Sequence, residues 1–170
     1  QFIASFLQTY SRLILPEEWR DLPIELQGSI SKRHLVLPMP LPEKPMFPLK
    51  PDILLGLPGQ PNLIIDTKNK ALPLKQSYRA VAEGDAYQML AYATQFHCRC
   101  ILLLYPHTLG AEVFTPKMLM VEQTSIRIFV ATLNLHQPLN QIFPLIQEFR
   151  NILYSTFSQV GSPSEVIWPA

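Results

Sequence analysis

The segment "PDILLGLPGQPNLIIDTKNK", residues 51–70, constrains the fold more than any other. Two apolar runs, "DILLGL" and "NLIID", are separated by a turn around "PGQP" and read as an antiparallel hairpin. Neither run alternates cleanly between apolar and polar residues, which suits strands buried on both faces. Yet Asp52 opens the first run, Asp66 closes the second, and Lys68 follows two residues later. A carboxylate at each end of such strands, with a lysine beside one of them, calls for a partner or a purpose.

The rest of the chain supplies layers for that hairpin. Residues 2–15 place Phe2, Ile3, Phe6, Leu7, Tyr10, Leu13 and Ile14 at helical spacing, and Pro16 stops the helix. A loop is expected over 16–32, a short strand at 34–37, and an extended loop over 38–51, where six prolines exclude a central strand. "LPLKQSYRAVAEG" is polar and mixed, without a periodic signal. Residues 85–96 predict a helix with Asp85 as its N-cap. "CILLLYP" predicts a strand, as do "EVF" and "IRIFVATLNL", and 139–157 predicts a last amphipathic helix with Pro144 in its first turns. The order helix, three strands, helix, strand, further strands, helix gives an α/β fold with a mixed sheet flanked by helices. One domain is expected over 1–160, with a tail at 161–170.

Composition excludes several classes. At 48% hydrophobic and 16% charged, the chain can bury a core and is not a disordered segment. A net charge of +1 announces no polyanion binder, so any case for one must rest on local clustering. No apolar run reaches the roughly 18 residues that cross a bilayer, and no secretory signal is visible, so a cytoplasmic location is the default expectation. Gln1 in place of Met is expected of a processed chain or a piece of a longer protein. Cys98 and Cys100 are too close for an ordinary disulfide and lack the second pair a closed zinc site needs. They read as a buried strand start.

Chemistry concentrates at the hairpin. Side chains alternate along a strand, so Asp66 and Lys68 point to one face. Antiparallel pairing lays the start of the first strand beside the end of the second and brings Asp52 close to Asp66. Two carboxylates and an ammonium in one small space suit a hard divalent cation such as Mg²⁺, with Mn²⁺ as a substitute. Such an ion polarises phosphate oxygens, and the lysine would orient or deprotonate a water or neutralise charge on phosphorus. An isolated D-x-K is most often a solvated strand exit, and that alternative stands for Asp66 and Lys68 alone. Gln88 and Tyr92, four apart, share one face of the second helix, where they also suit the boundary of an amphipathic helix.

Taken in order, the pieces spell PD, 13 residues, DTK, 19 residues, QxxxY. That arrangement resembles the PD-(D/E)XK nuclease superfamily in its branch with the Q-x-x-x-Y motif. "KPDILL", "LIIDTKNK" and "GDAYQMLAYA" further resemble the nuclease domain of the McrC family, the cleaving subunits of McrBC-type modification-dependent restriction systems. The resemblance covers about residues 1–105. It implies an αβββαβ restriction-endonuclease-like core and Mg²⁺-dependent cleavage of DNA. It implies Asp52 and Asp66 as metal ligands, with the Thr67 carbonyl between them, and Lys68 as the catalytic lysine. Gln88 and Tyr92 become accessory residues beside the site. It implies a GTP-hydrolysing McrB-like motor as partner, and the chain itself has no P-loop motif. From Thr67 to Ala82 the chain carries Lys68, Lys70, Lys75 and Arg79 and no acid, so Lys70, Lys75 and Arg79 are expected to meet the DNA backbone, against the alternative of a solvated loop.

Two positions depart from the family pattern. Family members tend to carry a Glu on the first helix, whereas this helix opens "QFIASFL"; the Glu is expected before residue 1 or is missing. The aromatic that follows the lysine is Asn69 here. The alternatives are a repair or recombination nuclease of the same fold, and a degenerate module that only binds DNA or a partner.

Overall fold

The computed structural model describes residues 2–37, 44–72, 81–107, 116–136 and 141–159. Among these, a six-stranded sheet runs in the order β1(Ile24–Leu26), β4(Ile53–Leu57), β5(Gln60–Thr67), β6(Cys100–Pro106), β8(Arg127–Leu133), β7(Lys117–Met120). β5, β6 and β8 are parallel to one another, and the flanking strands are antiparallel. A separate two-stranded ribbon pairs β2(Arg33–Val36) with β3(Met46–Leu49). The helices are α1(Phe2–Ile14), α2(Glu83–Gln95) and α3(Ile142–Phe157). The mixed α/β architecture expected from the sequence is present.

Alternation along the central strands explains the layers. Leu63, Ile65, Leu102, Leu104 and Phe129 face one side of the sheet and join the core made with α1 and α3. Ile64, Ile101, Leu103 and Val130 face the other and pack under Met89, Tyr92, Ala93 and Phe96 of α2. The two-sided burial inferred from unbroken apolar runs is therefore literal. By the same alternation Asp66 and Lys68 follow Ile64 onto the α2 side.

Several expectations are corrected. Residues 16–32 are not all loop: Glu17–Trp19 form a 3₁₀ turn and β1 pairs with β4 at the sheet edge. The strand expected at 34–37 lies in the ribbon, so the αβββαβ core is built from α1, β1, β4, β5, α2 and β6. Part of the proline-rich stretch is a strand, because a two-stranded ribbon leaves each strand a free edge where Pro48 needs no ladder donor. β7 has no counterpart in the expected elements, and its four residues are mostly exposed. Asp85 is not the N-cap of α2: Ala82 holds that position, and Asp85 sits in the first turn. The last helix begins at Ile142, with Pro144 in its first turn. "EVF" at 112–114, most of the polar stretch 72–84 and the tail after 161 lie outside the described residues.

One irregularity sets the register. At the hairpin tip Leu57 pairs with Gln60 and Gly56 with Pro61, but Leu55 pairs with Leu63. Asn62 is the extra residue of a β-bulge. Beyond it the pairs run Leu54 with Ile64 and Ile53 with Ile65. One step further sets Asp52 beside Asp66. Without the bulge Asp52 would meet Ile65. Gly56 adopts φ +128°, and a Cβ there would clash with the Asn62 side chain and stand 2.6 Å from its backbone nitrogen. Gly56→Ala should therefore cost about 2–4 kcal/mol of stability in urea unfolding, since both backbone strain and overlap must be relieved. A cost below about 0.5 kcal/mol would show that the bulge does not constrain the hairpin.

Candidate functional site

The site lies where β5 and β6 run out, the end of a parallel sheet where ligands gather. Asp66 is 4% exposed and Lys68 sits one step beyond β5. The Lys68 backbone N–H still donates to the Leu104 carbonyl at 2.9 Å, so the strand exit is held in line with β6. Asp52 enters from the antiparallel neighbour. Its Oδ2 accepts the Thr67 backbone N–H at 2.8 Å and the Thr67 hydroxyl. Thr67, expected to act only through its carbonyl, thus also clamps Asp52 through both of its donors.

Lys68 joins the strand to the helix. Its Nζ lies 2.6 Å from Asp66 Oδ2 and donates to Gln88 Oε1 at 2.6 Å. Gln88 Nε2 in turn donates to the Tyr92 hydroxyl at 2.8 Å. Gln88 and Tyr92 are four apart on α2, so one helical turn delivers both groups. Tyr92 is 2% exposed and packs edge-on against Phe96, while its hydroxyl accepts from Gln88. Burial, and next the nearby Asp66 charge, raise the Tyr92 hydroxyl above its ordinary range.

Two further residues join the cluster: Asp85, expected only as an N-cap, and Tyr105, given no role by the sequence. Asp85 Oδ2 accepts from the Tyr105 hydroxyl at 2.8 Å and lies 2.8 Å from Lys70 Nζ, while its Oδ1 lies 3.7 Å from Lys68 Nζ. The signal was available: Tyr105 is the polar-tipped residue closing an otherwise apolar strand. Lys70, expected at the DNA backbone, is engaged with Asp85. Lys75 and Arg79 lie outside the described residues. Cys98 and Cys100 are buried thiols, and Cys98 donates to the Cys100 carbonyl at 3.1 Å.

Electrostatics decide what the cluster accepts. Burial pushes the Asp66 carboxyl above its ordinary 3.8, and the charges of Asp52 and Asp85 push the same way, so Lys68 only partly offsets them. Burial would raise Asp85 too, but hydrogen bonds from Lys70 and Tyr105 and the charge of Lys68 hold it below 3.8. Asp66 and Asp85 thus share Lys68 and Lys70, and Asp52 adds a third carboxylate charge beside Asp66. Among the described residues no three His, Cys, Asp or Glu side chains are grouped to share an ion. Two carboxylates and oxygen-only chemistry, with residual negative charge, fit Mg²⁺, which binds through one or two carboxylates and keeps several waters. They do not fit a closed zinc site.

A profile of the family described as McrBC 5-methylcytosine restriction system component matches residues 13–106, a stretch that contains every residue of this cluster. The chain belongs to that family. No curated protein matches it. Among solved structures, a chain of the refined half-complex from a tetradecameric assembly of Thermococcus gammatolerans McrB AAA+ hexamers with bound McrC is similar, with a TM-score of 0.60 and 14% identity. The match covers 89% of this chain and 31% of that one, so this chain spans about a third of the length of its structural relative. At that identity the likeness is one of fold. The McrBC family thus has here a mixed sheet whose cluster of Asp52, Asp66, Lys68, Gln88 and Tyr92 lies inside the matched region. No described helix is long and apolar enough to cross a membrane.

The two aspartates should respond to pH with opposite signs. Asp66, with a raised folded pKa, binds its proton more tightly when folded, so the parent loses stability as pH rises from 3.8 to that raised value. Asp66→Asn should therefore gain on the parent through that window. Asp85, with a depressed folded pKa, contributes stability that is complete above 3.8 and fades as pH falls through the depressed value. The deficit of Asp85→Asn should be full near neutrality and shrink in acid. Thermal melts of both variants and the parent from about pH 3 to about pH 7 check this; parallel curves for the two would contradict the assignment.

Proposed function

We propose that the chain is the nuclease domain of an McrBC-type restriction system: a Mg²⁺-dependent, PD-(D/E)XK-type endonuclease that hydrolyses DNA phosphodiesters when engaged by a GTP-hydrolysing McrB-like motor. The observation that carries this is the polar chain Asp66–Lys68–Gln88–Tyr92, which joins the end of β5 to one face of α2, beside an Asp52 held by Thr67. An amphipathic helix boundary has no need to seat a glutamine on a strand-end lysine. Membership in the McrBC component family supports the biological setting, and the solved McrB hexamers with bound McrC support a motor as partner.

Each residue then has a task. Asp52 and Asp66, with the Thr67 carbonyl, would hold the cation. When bound, such an ion supplies Lewis acidity and charge neutralisation toward phosphate. Thr67 fixes Asp52 through its N–H and hydroxyl, so the carboxylate needs little reorganisation. Asp66 and Gln88 hold the Lys68 ammonium in place, ready to face charge developing on a phosphate. Tyr92 orients Gln88 from a buried, immobile ring. The alternative is a module of the same fold that only binds DNA or a partner.

Cleavage separates the readings. With an McrB-like motor and GTP, the parent should cut 5-methylcytosine-containing plasmid, and should cut poorly without them. Asp66→Asn should abolish cutting, and Lys68→Ala should lower it by about 10²-fold or more, the size of losing one pre-organised charge. Gln88→Ala should lower it about tenfold, equivalent to about 1.4 kcal/mol, with stability within about 1 kcal/mol of the parent. An active Asp66→Asn protein would end the catalytic assignment. A parent that cuts vigorously without motor or GTP would favour a free-standing nuclease.

A further inference from the structure

The polar cluster cannot by itself attract DNA, because three carboxylates outnumber its two ammonium groups and phosphates are anions. On the nuclease reading, DNA affinity in the absence of the cation must come from elsewhere on the surface. The ribbon offers it. A hollow of about 230 Å³ at the root of β2 and β3 has a largely apolar wall that includes Pro48 and Leu49, and is also lined by Gln27, Lys32, Arg33, His34 and Lys50. Among the described residues none of these three permanent cations forms an ion pair, whereas Lys68 and Lys70 are both neutralised by aspartates. Lys32 and Lys50 are exposed, and Arg33 rests against Gly59 at the hairpin tip. Like charges gathered without counter-ions cost stability, and that cost is recovered when an anion fills the space.

The hollow is built into the fold and adjoins the site through Gln27. Buried Glu25 accepts from the backbone N–H groups of Ile30 and Ser31 and from the Ser31 hydroxyl, which itself accepts from the Gly59 N–H at 2.7 Å. This ties the entry to the ribbon onto the β4–β5 hairpin. Gln27, in a left-handed conformation at φ +54°, donates its N–H to the Asp52 carbonyl at 3.0 Å. Gln27 lines both the basic hollow and a second cavity, of about 220 Å³, that is walled by Asp52, Ala4, Ser5 and Leu26. Lys50 stands two residues before Asp52, and its main chain approaches the Tyr92 hydroxyl.

We infer that the basic hollow of the β2–β3 ribbon is a seat for the nucleic-acid phosphate backbone, holding phosphates that flank the one presented to Asp52 and Asp66. It supplies the affinity that the carboxylate cluster lacks. This rests on the nuclease reading and adds a surface to it.

The test is metal-free binding, read by fluorescence anisotropy of a labelled DNA duplex across a range of salt concentrations. Lys32→Gln combined with Lys50→Gln changes two exposed side chains, and a matching thermal melt verifies its fold. Neutralising two phosphate contacts should flatten the dependence of log affinity on log salt by about 1.8, at about 0.9 per contact. Binding at low salt should weaken tenfold or more. Lys117→Gln, on the far edge strand β7, should leave both unchanged. An unchanged slope in the double variant overturns the proposal, as does a parent that binds no duplex. A double variant that loses inorganic phosphate but keeps duplex affinity overturns it too, making the hollow a small-anion site. Plasmid cutting with motor and GTP is scored separately. Duplex binding as expected but no cutting by the parent would sink the nuclease reading and leave the seat standing; cutting with an indifferent slope would do the reverse.

Discussion

A single extra residue in one strand holds the site together. Asn62 bulges out of β5 opposite Gly56, and this fixes which residues of the hairpin face one another down to Asp52 and Asp66. A strand has a period of two, so a slip of one residue would turn a carboxylate toward the wrong face. The bulge is possible because residue 56 has no side chain and tolerates φ +128°. The Pro58–Gly59 tip, with Gly59 at φ +82°, closes the hairpin in the pattern of a type II turn. The carboxylate pair is therefore specified some residues away from itself, at a tip that carries no chemistry.

Charge then follows from where that register places the acids. Asp66 is buried on the α2 side of the sheet and kept from comfortable ionisation by its surroundings. Lys68 reduces the excess negative charge without removing it. The residual charge suits a cation and repels a polyanion. This division accords with the gathering of Lys32, Arg33 and Lys50 at the root of the ribbon, where none of them forms an ion pair among the described residues. It also explains why Asp85, on the first turn of α2, is tied to Lys70 and Tyr105. Its own charge is satisfied locally, and its carboxylate remains near Lys68 as a third neighbour.

The sequence was most legible where local and tertiary demands agree. The apolar runs of β4, β5, β6 and β8 and the helical spacing of α1 and α3 follow from periodicity, and the β4–β5 hairpin from its short turn, whereas the bulge that shifts its register by one residue leaves no such signal. It was least legible at edges. β1 has three residues and β7 four, too few for any period, and both are defined by the strand beside them. The second strand of the ribbon, β3, was missed because proline is a poor strand residue in general but tolerable on a free edge. Asp85 fitted an N-cap by position, yet the helix begins two residues earlier and long-range partners claim the carboxylate. Such partners, like Tyr105, come from another strand and leave no local trace.

The central claim is that Asp52 and Asp66, set in register by the bulge, form one cation site served by Lys68. Mn²⁺ electron paramagnetic resonance reads that site without any turnover. The account predicts a bound-Mn²⁺ population in the parent that is lost in both Asp52→Asn and Asp66→Asn and retained in Lys68→Ala. Mn²⁺ binding that survives either aspartate substitution, or that disappears with Lys68, would contradict it.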